Sequence, residues 1–300
     1  MASFRPRLAG LVGASVIVAG VLVGGAALVI AKSGYPGATC SGGSVAPGNY
    51  DKLTITGVCF VDEGTVNVGE NVDIKPGAEL VVAFAGDNLL VGDNINVGAG
   101  AVLVLGCEPD AFDCLNPAAP SSVKPSLLHS STTGPLNAQP EGPNAWAFVG
   151  GNLTANNALA VIVHNSRFGH DVVINGGGGG DQGCGQPGSP TPLPKDLFLP
   201  GPAYMDVEDS WIAHNANVQK INTCWSGFIR NWVGNDVNWN SNTTSDLDGN
   251  EVGWNWIGDN LNCKNNVPPP HWLPEVSFAN IVMDTATGQC SDLTTESFEN

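Results

Sequence analysis

The sequence predicts an all-β fold, a parallel β-helix solenoid of about seven to nine coils with two long loop insertions, preceded by an N-terminal hydrophobic helix. Three observations predict it. The chain has 39 glycines among its 300 residues, a five-residue signature recurs along it, and short apolar runs alternate with turn residues at a nearly constant period. Such a repeat is typical of coils that stack because none of them can bury a core alone.

Composition and charge exclude several other classes of protein. The chain carries 28 acidic and 11 basic residues, a net charge of −17. A nucleic-acid binder needs a basic surface to neutralise phosphates, so that class is excluded. A helical bundle would be rich in Ala, Glu, Lys and Leu, and a disordered chain would lack the dense Val, Ile and Leu of this sequence.

Residues 1–33 have the pattern of a signal peptide or a signal anchor. Arg5 and Arg7 precede an apolar run without charged residues over residues 8–31. The run is long enough to span a bilayer, and its small-residue end also fits a cleavage site, so both alternatives stay open. In either case the N-terminus starts in the cytoplasm and the domain of residues 34–300 is exported.

The cysteines agree with export. All eight lie beyond the apolar run, an even number in a compartment where disulfides persist. No CxxC or CxxxC motif occurs and no histidine lies within four residues of a cysteine, so a zinc site is not expected. We expect sequential pairing, because each neighbouring pair brackets an insertion or one repeat length. The cysteines are Cys40, Cys59, Cys107, Cys114, Cys184, Cys224, Cys263 and Cys290.

The signature reads apolar, Gly or Ala, any residue, Asn or Asp, and usually apolar. Two of the intervals between successive copies, from Val91 to Val149 and from Phe168 to Ile212, are at least about twice as long as the others. Each long interval contains a predicted insertion, residues 107–145 and 176–200, and removing the two insertions restores a nearly constant period. The seven copies begin at Val68, Val91, Val149, Phe168, Ile212, Val233 and Val252.

Short strands are predicted within each period. Residues 53–55, 66–68, 80–82, 102–104 and 161–163 alternate in polarity or form short apolar runs, which is typical of strands. Pro-Gly-Ala at 76–78 and Ala-Gly-Ala at 99–101 lie one period apart and mark the same corner in two coils. Coils stacked at roughly 4.8 Å would place identical positions in columns.

These coils resemble a right-handed parallel β-helix, and the chain is similar to uncharacterised exported β-helix proteins of actinobacteria. The ending of those proteins pairs a Cys-x-Asn stretch before prolines with a later Gly-x-Cys. The corresponding residues here are Cys263-Lys264-Asn265-Asn266, the prolines at 268–270, and Gly288-Gln289-Cys290. The resemblance covers roughly residues 40–295 and implies the architecture, but no particular activity.

Two positions of the signature form polar columns. The fourth position is expected to form a hydrogen-bonded corner ladder rather than a ligand or cation ladder. Its members are Asn71, Asn94, Asn152, Asp171, Asn215, Asp236 and Asn255. The third position is expected to point outward and contains Glu70, Asp93, Gly151, His170, His214, Asn235 and Trp254.

His170 and His214 become neighbours if the coils stack in register. Two neutral imidazoles at that distance could share a metal, with a carboxylate from Asp171, Glu208 or Asp209. Surface histidines without a metal are the favoured interpretation, so neither a metal nor a cofactor is predicted.

An enzymatic alternative stays open. Many β-helix proteins cleave acidic polysaccharides, so analogy suggests a polysaccharide lyase or glycoside hydrolase, with His170, Asp171, Glu208, Asp209 and His214 as its residues. The acidic surface opposes polyanionic substrates, and beyond residue 33 the arginines are Arg167 and Arg230. A carboxylate pair about 6.5–9.5 Å apart could serve an inverting hydrolase, but no motif singles one out.

The tryptophans suggest binding instead. Seven of the eight follow residue 200, and alignment of the signature places Trp211 beneath Trp232, with Arg167 and Glu251 in the flanking coils of the same column. Strand alternation turns this column outward. Stacked exposed indoles would suit neutral sugar rings, and packing under a loop or the C-terminal segment is the alternative. The predicted ligand-binding residues are Arg167, Trp211 and Trp232.

The predicted function is therefore an exported, disulfide-braced, non-catalytic module of the cell envelope, with a structural or glycan-binding role. Its expected partner is a cell-surface glycan, and no nucleic-acid partner is expected. The domain is expected to be attached to the membrane only if the N-terminal helix is uncleaved. The predicted location is secreted or on the extracellular face of the plasma membrane. Residues 1–33 hold three bases and no acids, so the exported part carries a charge of −20.

Overall fold

The computed structural model describes residues 34–107, 114, 145–180, 204–272 and 279–294. The predicted N-terminal helix and most of both predicted insertions lie outside these ranges. Every regular element within them is a β-strand, and none of the described residues forms an apolar helix long enough to cross a membrane.

The strands, numbered β1 to β29 along the chain, form three parallel sheets that the chain visits in the order A, B, C. Sheet A contains β1 (Ala38–Cys40), β4 (Leu53–Ile55), β7 (Val72–Ile74), β10 (Ile95–Val97), β13 (Leu153–Ala158), β16 (Val172–Gly177), β19 (Ala216–Gln219), β23 (Val237–Asn240), β27 (Leu261–Lys264) and β29 (Ala286–Gly288). Sheet B contains β2 (Gly43–Ser44), β5 (Val58–Phe60), β8 (Glu79–Val82), β11 (Val102–Leu105), β14 (Ala160–Val163), β17 (Tyr204–Glu208), β21 (Trp225–Ile229) and β25 (Asn250–Gly253). Sheet C contains β3 (Gly48–Tyr50), β6 (Thr65–Val68), β9 (Asn88–Val91), β12 (Trp146–Val149), β15 (Arg167–Phe168), β18 (Trp211–Ile212), β22 (Trp232–Val233), β26 (Trp256–Ile257) and β28 (Ile281–Val282). A small parallel pair, β20 (Asn222–Thr223) and β24 (Thr243–Thr244), lies between sheets A and B in the sequence.

Each strand pairs in register with strands one coil away, so the predicted parallel β-helix is confirmed. Val72 pairs with Ile95, which pairs with Leu153, and all three are fully buried. Asp73 and Asn96, one residue further along, face outward. This alternation lets β-branched and aliphatic side chains fill a continuous core from coil to coil.

An amide ladder connects the coils at the corner between sheets C and A. The backbone N and the Nδ2 of Asn94 donate to Oδ1 of Asn71 at 3.1 and 3.0 Å. Asn152 repeats both bonds to Asn94, at 2.9 and 3.1 Å, and the ladder continues through Asp171, Asn215, Asp236 and Asn260. The prediction of a corner ladder is confirmed. Glycine precedes it because a Cβ at Gly92 would overlap the carbonyl oxygen of Gly69.

The seventh predicted copy of the signature is wrong. Val252 lies in β25 and pairs with Phe228 of sheet B, whereas Ile257 pairs with Val233 in sheet C. The seventh copy is therefore Ile257-Gly258-Asp259-Asn260, and Asn260 donates to Asp236 at 3.0 and 2.9 Å. Asn255 and Trp254 leave the predicted columns, and Asn260 and Asp259 replace them.

The misassigned motif belongs to a second ladder, at the corner between sheets B and C. The backbone N of Asn231 donates to Oδ1 of Asn255 at 2.9 Å, and the backbone N of Asn255 donates to Oδ1 of Asn280 at 3.1 Å. The two corners use the same residue types, because both need a short amide that satisfies the backbone of the next coil. The sequence pattern alone therefore does not tell them apart.

Disulfides join Cys40 to Cys59, Cys107 to Cys114 and Cys263 to Cys290, which are sequential pairs. Cys224 is also disulfide-bonded, and its expected partner Cys184 lies outside the described residues. These bonds indicate an oxidising compartment.

The C-terminal disulfide joins Cys263 to Cys290. These cysteines belong to the Cys-x-Asn and Gly-x-Cys motifs that suggest the resemblance to the actinobacterial proteins. Beside it, Oε1 of Gln289 accepts bonds from the backbone N and Nδ2 of Asn266 at 2.8 and 3.0 Å. Nε2 of Gln289 donates to the carbonyl oxygen of Asn266 at 2.9 Å. The backbone N of Asn242 donates to Oδ1 of Asn266 at 3.0 Å in the same way. Asn242, Asn266 and Gln289 therefore form a third ladder, which Gln289 ends.

Both predicted insertions adjoin sheet B. The first leaves after β11 and returns at β12, where Cys107 and Ala145 form an antiparallel bridge. The second lies between β16 and β17, and Gly176 and Gly177 belong to β16 rather than to the insertion. Cys107, Cys114 and Ala145 pack with outward-facing apolar residues of sheet B in a second hydrophobic cluster. The outer face of sheet B is therefore buried from β8 to β14.

The second ladder provides a test of the fold. Asn255 is fully buried, and its Nδ2 donates to the carbonyl of Phe228 at 2.7 Å and to Oδ1 of Asn280 at 2.8 Å. Asn255→Ala is expected to lower the free energy of unfolding by about 2–3 kcal/mol, because buried partners lose their bonds. Asn96→Ala removes an exposed outward bond to Asp73 and should cost less than about 1 kcal/mol. Equal effects of both changes in chemical denaturation would show that the buried ladder has no special weight.

Candidate functional site

Three tryptophans stack along the outer face of sheet C. Trp211, Trp232 and Trp256 pair in register in successive coils. Adjacent ring centroids are 4.9 Å apart in both pairs, with interplanar angles of 13° and 2°. The predicted juxtaposition of Trp211 and Trp232 is confirmed. Placing Glu251 in this column was wrong, because the misassigned seventh copy shifted the last coil.

The three rings face outward, since the residue after each of them is fully buried in the core and side chains alternate along a strand. All three rings are half-buried. Flat rings in van der Waals contact have planes about 3.5 Å apart, which is less than the 4.9 Å between the centroids. The rings are therefore stacked in an offset parallel arrangement, in which each ring overlaps only part of the next one. Part of each ring remains open to a ligand.

The Trp stack continues a longer outward row of sheet C. In preceding coils the same column contains Leu90, Phe148 and Arg167, and Ile281 follows Trp256. Arg167, which was predicted as a ligand-binding residue, thus lies directly beside Trp211. This aromatic row runs parallel to the solenoid axis and is apolar except for Arg167.

His170 and His214 are neighbours, as in-register stacking predicts. Their ring centroids are 4.8 Å apart at an interplanar angle of 71°, and both side chains are exposed. The following residue, Asp171, belongs to the corner ladder and accepts bonds from the backbone N and Nδ2 of Asn215 at 2.9 and 3.0 Å.

The five residues of the enzymatic alternative do not form one site. His170, Asp171 and His214 lie at the corner between sheets C and A. Glu208 ends β17 in sheet B and Asp209 follows it, so both lie at the preceding corner of the coil. There they belong to an arrangement that the sequence does not predict.

This arrangement is an ionic cluster on the outer side of sheet B. Its side chains are buried, between 2% and 8% exposed, and belong to His164, Asp206, Glu208, Asp209, Arg230 and Glu251. Asp209 and Arg230 begin the turn into sheet C in the left-handed conformation, with φ of 51° and 57°. The turn directs both side chains toward Glu208.

Arg230 is the centre of the cluster. Its Nε and Nη2 donate to the two carboxylate oxygens of Asp209, and Nη2 also donates to Oε2 of Glu208 at 2.7 Å. His164 lies between two carboxylates, with Nε2 3.4 Å from Asp206 and Nδ1 3.6 Å from Asp209. The cluster is thus a chain of alternating charges.

A glycine makes room for the aromatic side of the cluster. Gly227 pairs with Asp206 on one side and Glu251 on the other. A Cβ at Gly227 would overlap the ring of Trp225 and approach Oε1 of Glu208 to 2.9 Å. Trp225 therefore lies over Gly227, and its Nε1 donates to Oε1 of Glu251 at 3.0 Å.

Burial controls the protonation of these groups. It raises the pKa of Glu208 to about 7, against the opposing charges of Arg230 and His164. It also raises the pKa of Glu251 to about 7, although the Trp225 bond opposes this. Burial alone would lower the pKa of His164, but the adjacent carboxylates of Asp206 and Asp209 outweigh it and raise that pKa to about 10. Below about pH 7, two cations therefore face two aspartates and two largely neutral glutamic acids.

A glutamic acid with a raised pKa beside a second carboxyl group is a combination used in acid–base catalysis. The ligand atoms of His164, Glu208 and Asp209 also lie within 4.8 Å of one another, close enough to surround a metal. However, Arg230 already occupies oxygens of both carboxylates, and the whole cluster is buried. The geometry fits charge neutralisation under a covered face better than substrate turnover.

Sequence patterns missed the cluster because its members share no motif. The signal lies in one outward column of sheet B, which contains Phe60, Val81, Val104, Ile162, Asp206, Gly227 and Glu251. The change from apolar to charged residues along this column marks the cluster, but it becomes visible only once the register is known.

Fold and site together define a disulfide-braced parallel β-helix with an open aromatic row and a covered ionic cluster. The chain matches no protein-family model, no curated protein and no solved structure.

The ionic cluster predicts an unusual dependence of stability on pH. All three raised pKa values mean that the folded state binds protons more tightly than the unfolded state. The contribution of the glutamates is complete below about pH 4.5 and is lost through about pH 7, and that of His164 is complete below about pH 6.5 and is lost through about pH 10. Tm should therefore be higher at about pH 5.5 than at about pH 8.5, by about 5 °C or more.

The double change Glu208→Gln and Glu251→Gln should flatten the decrease in Tm between about pH 5 and pH 8, because glutamine mimics the neutral acid. The matched control, Glu63→Gln with Glu70→Gln, removes the same two charges from exposed positions and should leave the slope unchanged. A Tm that rises with pH in the parent chain would contradict this assignment.

Proposed function

We propose that the chain is an exported, non-catalytic module of the cell envelope that binds neutral glycans along the aromatic row of sheet C. The main evidence is the Trp stack of Trp211, Trp232 and Trp256, whose half-buried rings have adjacent centroids 4.9 Å apart. This step is close to the length of one sugar residue in an extended β-linked chain. A glycan lying along the axis could thus contact the exposed part of each successive ring with successive sugar residues.

The charge of the molecule supports a neutral ligand. The net charge is −17, so a polyanionic chain would be repelled over the whole surface. Asn217, Asn238 and Asn262 form an outward amide row in the neighbouring sheet A. Such amides suit sugar hydroxyls rather than carboxylates.

The disulfides support an extracellular location, because such bonds persist in oxidising compartments. We include in the proposal that residues 1–33 deliver or anchor the domain and that the chain belongs with exported actinobacterial β-helix proteins. The bond between Cys263 and Cys290, with Gln289 as cap, gives a physical reason for the ending that these proteins share.

The proposal predicts binding of the full chain to insoluble neutral β-glycans such as cellulose or chitin. Replacing Trp211 and Trp232 by alanine should weaken binding at least about tenfold, because the ligand loses two ring contacts, and adding Trp256→Ala should abolish it. The measurement is depletion of protein from solution over a range of glycan concentrations. Binding should change little with salt, since no charges pair.

The control is Trp254→Asn, which removes a half-buried tryptophan outside the Trp stack. Asparagine tolerates the left-handed backbone at this position, where φ is 60°. This variant should bind as the parent chain does. Unchanged binding by the Trp211/Trp232 variant would remove the aromatic row as the site, and new reducing ends or unsaturated products from any polysaccharide would contradict the non-catalytic assignment.

A further inference from the structure

We propose that His170 and His214 form a surface site for a late divalent transition-metal ion, such as Cu2+ or Zn2+. The inference is independent of the proposed glycan binding, because it depends on another corner of the solenoid and on another chemistry. It starts from two exposed imidazoles in adjacent coils, with ring centroids 4.8 Å apart.

The spacing of the rings fits shared coordination. Metal–nitrogen bonds of roughly 2.1 Å place each imidazole centre roughly 3.2 Å from the ion. Two such rings lie roughly 4.5 Å apart for a right-angle N–metal–N geometry and roughly 5.2 Å apart for a tetrahedral one. The observed separation of 4.8 Å lies between these values, so the distance between the rings is compatible with either geometry.

The backbone holds the two residues at this distance before any ion arrives. The backbone N of His214 donates to the carbonyl of His170 at 3.4 Å. The next residue pair, Asp171 and Asn215, is fixed by two ladder bonds of 2.9 and 3.0 Å. Little conformational freedom of the main chain is therefore lost on binding, which favours a two-point chelate.

The column leaves room for an ion. Gly151 precedes His170 in it and has no side chain, and Asn235 follows His214 with an amide oxygen on the same outer corner. The remaining coordination positions would be open to water or to an external ligand. The negative charge of the chain also raises the local concentration of cations.

Imidazole ligands select Cu2+, Zn2+ and Ni2+ over Mg2+ and Ca2+, and Cu2+ binds most tightly in this series. The buried group of His164, Glu208 and Asp209 competes poorly, because Arg230 occupies its carboxylates. We therefore expect the exposed pair to bind the ion first.

The test titrates the full chain, produced without a histidine tag, with Cu2+ followed by EPR and with Zn2+ followed by calorimetry, both at about pH 7.5. The parent chain should show a site with two nitrogen ligands. His170→Ala and His214→Ala should each weaken it at least about tenfold, and the double variant should be little worse than either single one, because one change already destroys the chelate. The fold should be unaffected, as Tm would show, since both side chains are exposed.

His271→Ala is the matched control, a half-buried histidine at the sheet B bridge to Glu251, and it should leave the affinity unchanged. Single variants that bind within about twofold of the parent would overturn the proposal. An equal loss in His271→Ala, or an EPR spectrum with one nitrogen ligand in the parent chain, would overturn it as well.

Discussion

The structure depends on coils that are held in register by hydrogen bonds parallel to the solenoid axis. Sheet bonds alone would allow a strand to slip, and slippage by one residue would turn its core side chains outward. The amide ladders prevent this, because each Asn or Asp oxygen accepts from the backbone N of the equivalent residue in the next coil. Glycine occupies most copies of the position beside the first ladder, because a Cβ at Gly92, Gly150 or Gly169 would overlap a carbonyl oxygen of the preceding coil. Once the register is fixed, every residue type placed at one position is repeated as a column.

Columns explain why the notable features of this molecule are pairs and rows. The Trp stack, the histidine pair and the charge alternation of the ionic cluster all arise from residues that occupy equivalent or adjacent positions in neighbouring coils. None of them needs a loop to bring distant residues together. A β-helix can therefore acquire a linear binding surface through single substitutions at equivalent positions in neighbouring coils.

The sequence predicted the columns well and the last coils less well. Trp211 over Trp232 and His170 beside His214 follow from the signature once two insertions are removed. The seventh copy was misplaced because Val252-Gly253-Trp254-Asn255 follows Val233 at the spacing of the other copies, while the true copy begins at Ile257, later than the period predicts. Both corners require a side chain that accepts a hydrogen bond from the backbone N of the next coil, so the same motif occurs at both. Only the strand pairing distinguishes the two corners. The ionic cluster was missed for a related reason: Glu208, Arg230 and Glu251 become neighbours through register and through left-handed turns, which no local pattern records.

The outer faces of sheets B and C differ in their exposure to solvent, and this difference bears on which of them can bind a ligand. On sheet B, one column contains Phe60, Val81 and Val104 in the earlier coils and Asp206 and Glu251 in the later ones, and these five residues are all largely removed from solvent. Apolar residues tolerate such burial by themselves, whereas the charged ones require Arg230 and His164 as counterions and protons on the glutamates. A ligand that entered there would have to displace these partners and uncover the face. On sheet C the Trp stack already offers part of each ring to solvent, so a ligand can add contacts without breaking any. That difference in cost is the physical reason to propose ligand binding on sheet C rather than on sheet B.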